Sequence, residues 1–267
     1  MSDAVDPKVM REARTVAREA VRDGALAVVL TGSHARGDAT AHSDIDLIVV
    51  LRTAPPEGTW RHPISVRRGH LVSVSWETAA SARAALREPK LFTTFVPGWR
   101  EAIILNDAAG VAGRIQTRAR NWTWESVADV LEAWVAAEIA GYAEEVHKLV
   151  GALARRNQRA AAAQRSLLAV HLASIVAVRR RMLFGTDNVL WDRVGEAMGA
   201  RWRRAQARAF GEGGESLAVS CHAALELYAL AAGDTWALLD RRQRAVVGHA
   251  CTIAGHAVGS DPRSLRP

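Results

Sequence analysis

Val9, Ala13, Val16, Ala20 and Val21 recur at helical spacing between Pro7 and Arg22, which predicts an amphipathic first helix. Two apolar runs follow, Leu26 to Leu30 and Ile45 to Leu51, and predict buried strands over about 26–31 and 45–51. After the loop Pro55-Pro56-Glu57-Gly58, Ile64 to Arg67 and His70 to Trp76 read as a hairpin joined at Arg68-Gly69. Thr78 to Arg87 predicts a helix that stops before Pro89. Ala102 to Leu105 predicts a short strand ending in the turn Asn106-Asp107, and 108–120 a short helix. From Thr123 onward the pattern is helical throughout, with abundant alanine, no proline until Pro262, and glycines at breaks such as Gly185, Gly199 and Gly211 to Gly214. That stretch accommodates about five or six helices, enough for a bundle. The expected class is α+β: a domain with a mixed β-sheet over 1–120, then an all-helical bundle over 121–267.

The candidate chemistry lies where the first two strands meet. Residues 30–47 read Leu-Thr-Gly-Ser-His-Ala-Arg-Gly-Asp-Ala-Thr-Ala-His-Ser-Asp-Ile-Asp-Leu. Alternate residues of a strand share a face, so Asp44 and Asp46 point together while Ile45, Leu47 and Val49 point the other way. Two acids at the mouth of a buried strand are costly to desolvate unless they hold a cation. Upstream, the Gly32-Ser33 turn feeds a short helix and offers backbone N–H groups to phosphate. The combination predicts a Mg²⁺–nucleotide site.

Gly-Ser followed after a spacer by Asp-Ile-Asp-Leu resembles the signature of the DNA polymerase β-like nucleotidyltransferase superfamily. The Gly-Ser-x-Ala-Arg-Gly and Ser-Asp-Ile-Asp-Leu forms look most like its minimal and antibiotic-modifying (aminoglycoside-type) branches. The resemblance covers at most the first 110 or so residues, is dense over Gly32 to Leu51, and specifies the superfamily but not the substrate. It implies ATP as co-substrate, one or two Mg²⁺ held by Asp44 and Asp46, phosphates against Gly32 and Ser33, and Arg36 near the triphosphate or else paired with Asp38. The implied reaction is transfer of AMP to a hydroxyl of a small-molecule acceptor, with an aminoglycoside-like antibiotic as the leading candidate. An α/β catalytic domain followed by a helical bundle is the arrangement of kanamycin- and streptomycin-type enzymes, in which the acceptor binds between the two parts.

Those enzymes also carry a Glu and a Lys one turn apart on the first long helix of the bundle. By that resemblance Glu144 is the base toward the acceptor hydroxyl and Lys148 the α-phosphate contact, with Glu145 as the fallback base. Read from spacing alone, Glu144 and Lys148 are an i, i+4 ion pair on a helix surface. Most superfamily members supply a third carboxylate from the strand equivalent to Leu71–Trp76; here Ser73 and Ser75 occupy the alternating positions, and the nearest acid is Glu77. Either Glu77 reaches back as ligand or base, or Asp44, Asp46 and the triphosphate suffice, or the site binds nucleotide without turnover. A rival within the superfamily is antitoxin-like adenylylation of a protein or RNA partner. The Arg165-x5-His171 spacing, seen in the HEPN ribonucleases often encoded beside minimal nucleotidyltransferases, bears on that alternative.

Charge narrows the partners. The formal net charge of +7 rests almost wholly on arginine, since lysine occurs only at Lys8, Lys90 and Lys148. The arginines are scattered without interleaved aromatics, which suits solvated helix faces and the neighbourhood of a triphosphate better than a nucleic-acid stripe. No run of eighteen apolar residues occurs and the N-terminus is polar, so neither a membrane span nor a signal peptide is expected, and the expected location is cytoplasmic. Cys221 and Cys251 have no metal-ligand spacing and read as buried thiols. His34 reads as a phosphate contact or a solvent-facing spacer. Trp76, Trp99 and Trp191 are candidates for stacking, although most of the nine tryptophans belong to cores or interfaces.

Overall fold

Asp6 accepts the backbone N–H of Lys8 and Pro7 takes the first helical position, so α1 runs Pro7–Arg22. In the computed structural model, residues 5–55 and 63–257 are described; most of the expected Pro55–Gly58 loop lies outside them. The chain divides into two units, Met1–Ser126 with Leu183–Asp187, and Val127–Met182 with Asn188–Pro267.

The first unit holds a five-stranded sheet: β1 (Ala27–Thr31), β2 (Ile45–Leu51), β3 (Ile64–Arg67), β4 (His70–Thr78) and β5 (Ile103–Asn106), in the order β3-β4-β2-β1-β5. β2 runs parallel to β4 and antiparallel to β1, which makes the sheet mixed. One face carries Val28, Leu30, Ile45, Leu47, Val49 and Val72, packed on Val9, Ala13, Val16 and Ala17 of α1. The opposite face carries Asp46. This is the alternation the sequence predicts, and the buried row beneath supplies the hydrophobic driving force that fixes register.

Between the first two strands lies the short helix α2 (Gly32–Arg36). After the hairpin come α3 (Ala79–Ala85), α4 (Pro89–Glu101) and α5 (Val111–Arg120). Thr78 and Ser81 form a reciprocal capping box at the start of α3, and Asp107 accepts the N–H groups of Ala112 and Gly113 at the start of α5.

α4 has no counterpart in the sequence reading. Pro89 starts this helix as its first residue, and Pro97 sits inside it. Phe92, Val96 and Trp99 recur at i, i+4, i+7 and are fully buried, which holds the helix despite Pro97. Trp99 is therefore a core residue. Trp122 and Trp124 pack their rings on Phe92 at 5.4 and 5.5 Å.

The second unit is helical: α6 (Ala128–Gly141), α7 (Ala143–Ala154), α8 (Gln158–Arg179), α9 (Leu190–Met198), α10 (Ala200–Phe210), α11 (Leu217–Thr235) and α12 (Arg241–Ile253). The expectation of five or six is corrected to seven α-helices among the described residues. The glycine breaks fall where expected, but α6 gives way to α7 at Tyr142 in helical geometry, and α7 ends with Arg156 at φ 54° instead of a glycine. α8 is long and apolar enough to cross a membrane by length and composition. Here it is the central helix of the bundle, packed against α6, α7, α9, α10 and α11. Cys221 and Cys251 are buried free thiols.

Replacing Phe92 by alanine should cost about 3–5 kcal/mol, the usual penalty for emptying an aromatic core site. Chemical denaturation checks this; a loss below about 1 kcal/mol would show that α4 does not depend on the ring.

Candidate active site

Antiparallel pairing sets Thr31 opposite Asp46, so the carboxylate of Asp46 stands over the residue that follows β1. That residue is Gly32, with φ +69°, and a Cβ there would lie 2.1 Å from Asp46 Oδ2. Glycine is required twice at this point, for the left-handed backbone and for the close approach. Ser33 follows, and its carbonyl accepts the N–H groups of Gly37 and Asp38 at 2.9 and 3.1 Å, which closes the turn. α2 is only five residues long, so what it offers an anion is local N–H groups more than a macrodipole.

Downstream, Ser43 donates its N–H to the Thr40 carbonyl at 3.1 Å, and Thr40 donates its N–H to Ser43 Oγ at 2.9 Å. This turn delivers Asp44 to the edge of the sheet beside Asp46. Burial is the larger cause that pushes the Asp46 carboxyl up to about 6; the Asp44 charge adds to it, the Arg36 guanidinium opposes it, and a hydrogen bond shared with Asp44 raises it further. Two half-buried carboxyl groups held this close form a hard oxygen donor pair that favours a divalent cation. The pair fits Mg²⁺ of the kind that takes one or two carboxylates and completes its shell with substrate phosphates and water.

The structure does not bring Glu77 to this pair. Asp46 lies in register with Ser73, and Glu77 with Val50. Glu77 is thus four residues along β4, roughly 13 Å at strand rise. It accepts a 2.5 Å hydrogen bond from Ser81 Oγ at the start of α3. Among the described residues no group of three or more His, Cys, Asp or Glu is arranged to hold a metal.

Arg36 is held by two partners. Its Nη2 and Nε meet the Asp38 carboxylate at 3.1 and 3.2 Å, and Nη1 donates to the Gly185 carbonyl at 2.7 Å. Asp38 was a legible partner and Gly185 was not, because nothing local in the sequence links positions 149 residues apart. His34 is not a solvent-facing spacer. It is 9 % exposed, and its Nε2 is buried without a partner among the described residues.

In the helical unit Lys148 Nζ bridges Glu144 and Glu145, each at 2.9 Å. The hydrogen bond that Lys148 donates to Glu144, then the one it donates to Glu145, raises the Lys148 pKa. The Glu144 side chain is 72 % exposed and that of Glu145 20 %, so the two acids differ in setting. Glu145 lines a cavity of about 310 Å³ with Glu138, Tyr142, Leu167 and His171. The His171 ring lies 6.1 Å from that of Tyr142. Arg165 and His171 are six residues apart on α8, which puts them roughly 120° apart around the helix. Trp191 packs edge-on to Phe210.

Residues 10–92 match the model of the nucleotidyltransferase domain family. This segment is similar to that family, and it holds β1 to β4 and the Asp44–Asp46 pair. The enzymatic class that goes with this domain is nucleotidyl transfer, and a nucleoside triphosphate is the substrate it implies. No curated protein matches the chain. A solved structure described as a nucleotidyltransferase-like protein from Exiguobacterium sibiricum 255-15 is similar at 15% identity and a TM-score of 0.50. The likeness covers 85% of this chain and 78% of that one, and it shows a shared fold.

In the unfolded chain Asp46 ionises near 3.8, and in the metal-free nucleotidyltransferase domain near 6. The folded state therefore holds this proton more tightly, and its stability falls as pH rises from about 4 to about 6, then levels off. Asp46→Asn should leave the melting temperature unchanged or lower near pH 4 and raise it at about pH 7.5. A melting difference that stays constant across this range would exclude a buried, raised carboxyl at Asp46.

Proposed function

We propose that this nucleotidyltransferase transfers AMP from ATP, as its Mg²⁺ complex, to a hydroxyl of a small polyhydroxylated, cationic acceptor of the aminoglycoside type. The observation that carries the reading is the carboxylate pair seated against the Gly32-Ser33 turn inside the matched domain.

The residues divide the work. The N–H groups and hydroxyl of the Gly32-Ser33 turn hold the β- and γ-phosphates. Asp44 and Asp46 hold one or two Mg²⁺. Bound there, Mg²⁺ neutralises charge on the phosphate oxygens and on the departing pyrophosphate. The acceptor oxygen forms the new bond to the α-phosphorus as the bond to pyrophosphate breaks, and the hydroxyl proton passes to a carboxylate. By the resemblance, Glu144 is that base, with Glu145 as the fallback, and Lys148 the α-phosphate contact. Of these two acids the geometry favours Glu145, which lines a cavity, over Glu144, which lies in solvent. The same cavity gathers Glu138 and Glu145 beside an aromatic pair, a lining that suits an ammonium-bearing acceptor.

The test is incubation with ATP, Mg²⁺ and a panel of antibiotics, reading a mass gain of one AMP on the acceptor and release of pyrophosphate. Asp44→Asn and Asp46→Asn should each lower turnover by roughly 10³-fold or more, since several kcal/mol of charge stabilisation leave with the metal. A mass gain on a polypeptide or RNA instead would move the acceptor to a macromolecular partner. Nucleotide binding without pyrophosphate release from any acceptor would remove catalysis from the reading.

Glu145→Gln should lower turnover by roughly 10²–10⁴-fold with nucleotide affinity intact, the usual span for a lost general base. If Glu144→Gln alone produces that loss, the base is the exposed acid.

A further inference from the structure

Pro97 has no N–H, so the Thr93 carbonyl one turn earlier in α4 loses its helical partner. Thr93 is 7 % exposed, and a buried carbonyl left unpaired is costly. Its partner comes from the far end of the sequence: Phe184 donates its N–H to Thr93 O at 3.0 Å, and the Phe184 side chain is itself buried. The next residue, Gly185, gives its carbonyl to Arg36 at 2.7 Å. A Cβ on Gly185 would lie 2.6 Å from Arg36 Cδ and 3.1 Å from Nε, so the guanidinium stem lies directly on the glycine. Leu183–Asp187 follows α8 in sequence and precedes α9, yet it belongs to the nucleotidyltransferase unit. Arg36 is the last residue of α2, the helix that carries the phosphate turn, and α4 packs against α2 and β1.

We infer that Leu183–Asp187 is a positioning strap for the nucleotide: Gly185 fixes Arg36, and Arg36 fixes the Gly32-Ser33 turn in the shape that receives the triphosphate. Each of the three Arg36 nitrogens is engaged by Asp38 or Gly185, which holds the side chain as a brace for the turn. Residues 5–126 alone therefore do not complete the nucleotide site; a segment inserted between two helices of the second unit finishes it. Gly185 and Phe184 are positioning residues. Neither touches the reacting atoms.

This inference rests on the nucleotide reading of the turn, so wild-type binding of Mg²⁺–ATP is measured first, by calorimetry on the full chain. Absence of wild-type binding overturns that reading and the strap with it. Given wild-type binding, Gly185→Ala should raise the nucleotide Kd and KM roughly 10–100-fold, the scale of a displacement of about an ångström at a positioned group. The acceptor KM and the saturated kcat should change little, and the melting temperature should stay close to wild type. Arg36→Ala should cost as much, and adding Gly185→Ala to it should cost nothing more, because the glycine works through the arginine. Unchanged nucleotide affinity in Gly185→Ala, or a full Gly185 effect that persists without Arg36, overturns the strap. Should Gly185→Ala fail to fold, Arg36→Lys carries the test. It keeps the charge but lacks the fork that spans Asp38 and the Gly185 carbonyl, and wild-type affinity in that variant overturns the inference.

Discussion

The approach of the Asp46 carboxylate to the Gly32 backbone is the constraint from which the site follows. It is set by register, since Thr31 pairs with Asp46 and the chain must turn at the next residue. The register is held in turn by Ile45, Leu47 and Val49, all nearly inaccessible on the opposite face. A slip of one residue would carry those three to the other face and the two aspartates into the core, so the hydrophobic row enforces the electrostatic one. The sheet thereby stores a like-charge contact that it would not adopt for stability. Local violations of this kind are a recognised mark of a functional site, where the surrounding core offsets the strain.

Much of this was legible because the signals are local. The apolar run over Ile45 to Leu51 gave β2 and its alternation the two faces, the helical spacing of Val9, Ala13 and Val16 gave α1, and Arg68-Gly69 gave the hairpin turn. The failures have the opposite character. Pro97 reads as a helix breaker because the cost of interior proline, ~3 kcal/mol, includes an orphaned carbonyl. In α4 that carbonyl is satisfied by Phe184, and no local pattern announces so remote a partner. The Arg156 turn lacks the glycine that usually marks a helix end, and at the α6–α7 junction Gly141 and Tyr142 stay in helical geometry, so neither break is marked locally. The carboxylate pair was readable from spacing; the brace behind it was not, because Gly185 looks in sequence like an ordinary break.

Ser73, in register with Asp46 where an acid is expected, changes what the protein can do without substrate. Two carboxylates with a raised, partly protonated member make a poor resident site for a hydrated Mg²⁺, which gives up water reluctantly. A triphosphate that brings its own metal supplies the missing oxygens and removes the repulsion at once. Under the proposed function, metal and nucleotide would bind cooperatively, since each relieves a cost the other would otherwise meet. Glu77, the acid that β4 does carry, lies in register with Val50 and not with Asp46, so under the proposed function the triphosphate would have to supply that ligand.

Arginine chemistry completes the picture. A guanidinium with free nitrogens beside the turn would compete with the metal for phosphate oxygens and could settle in several geometries. Here Asp38 and Gly185 engage each of its nitrogens, while its charge still lowers the cost of ionising Asp46. Direction and charge are thus separated: the hydrogen bonds of Arg36 fix the shape of the loop, and its field acts on the carboxylate through space. Burial and the neighbouring Asp44 outweigh that field, which leaves Asp46 raised despite a cation nearby.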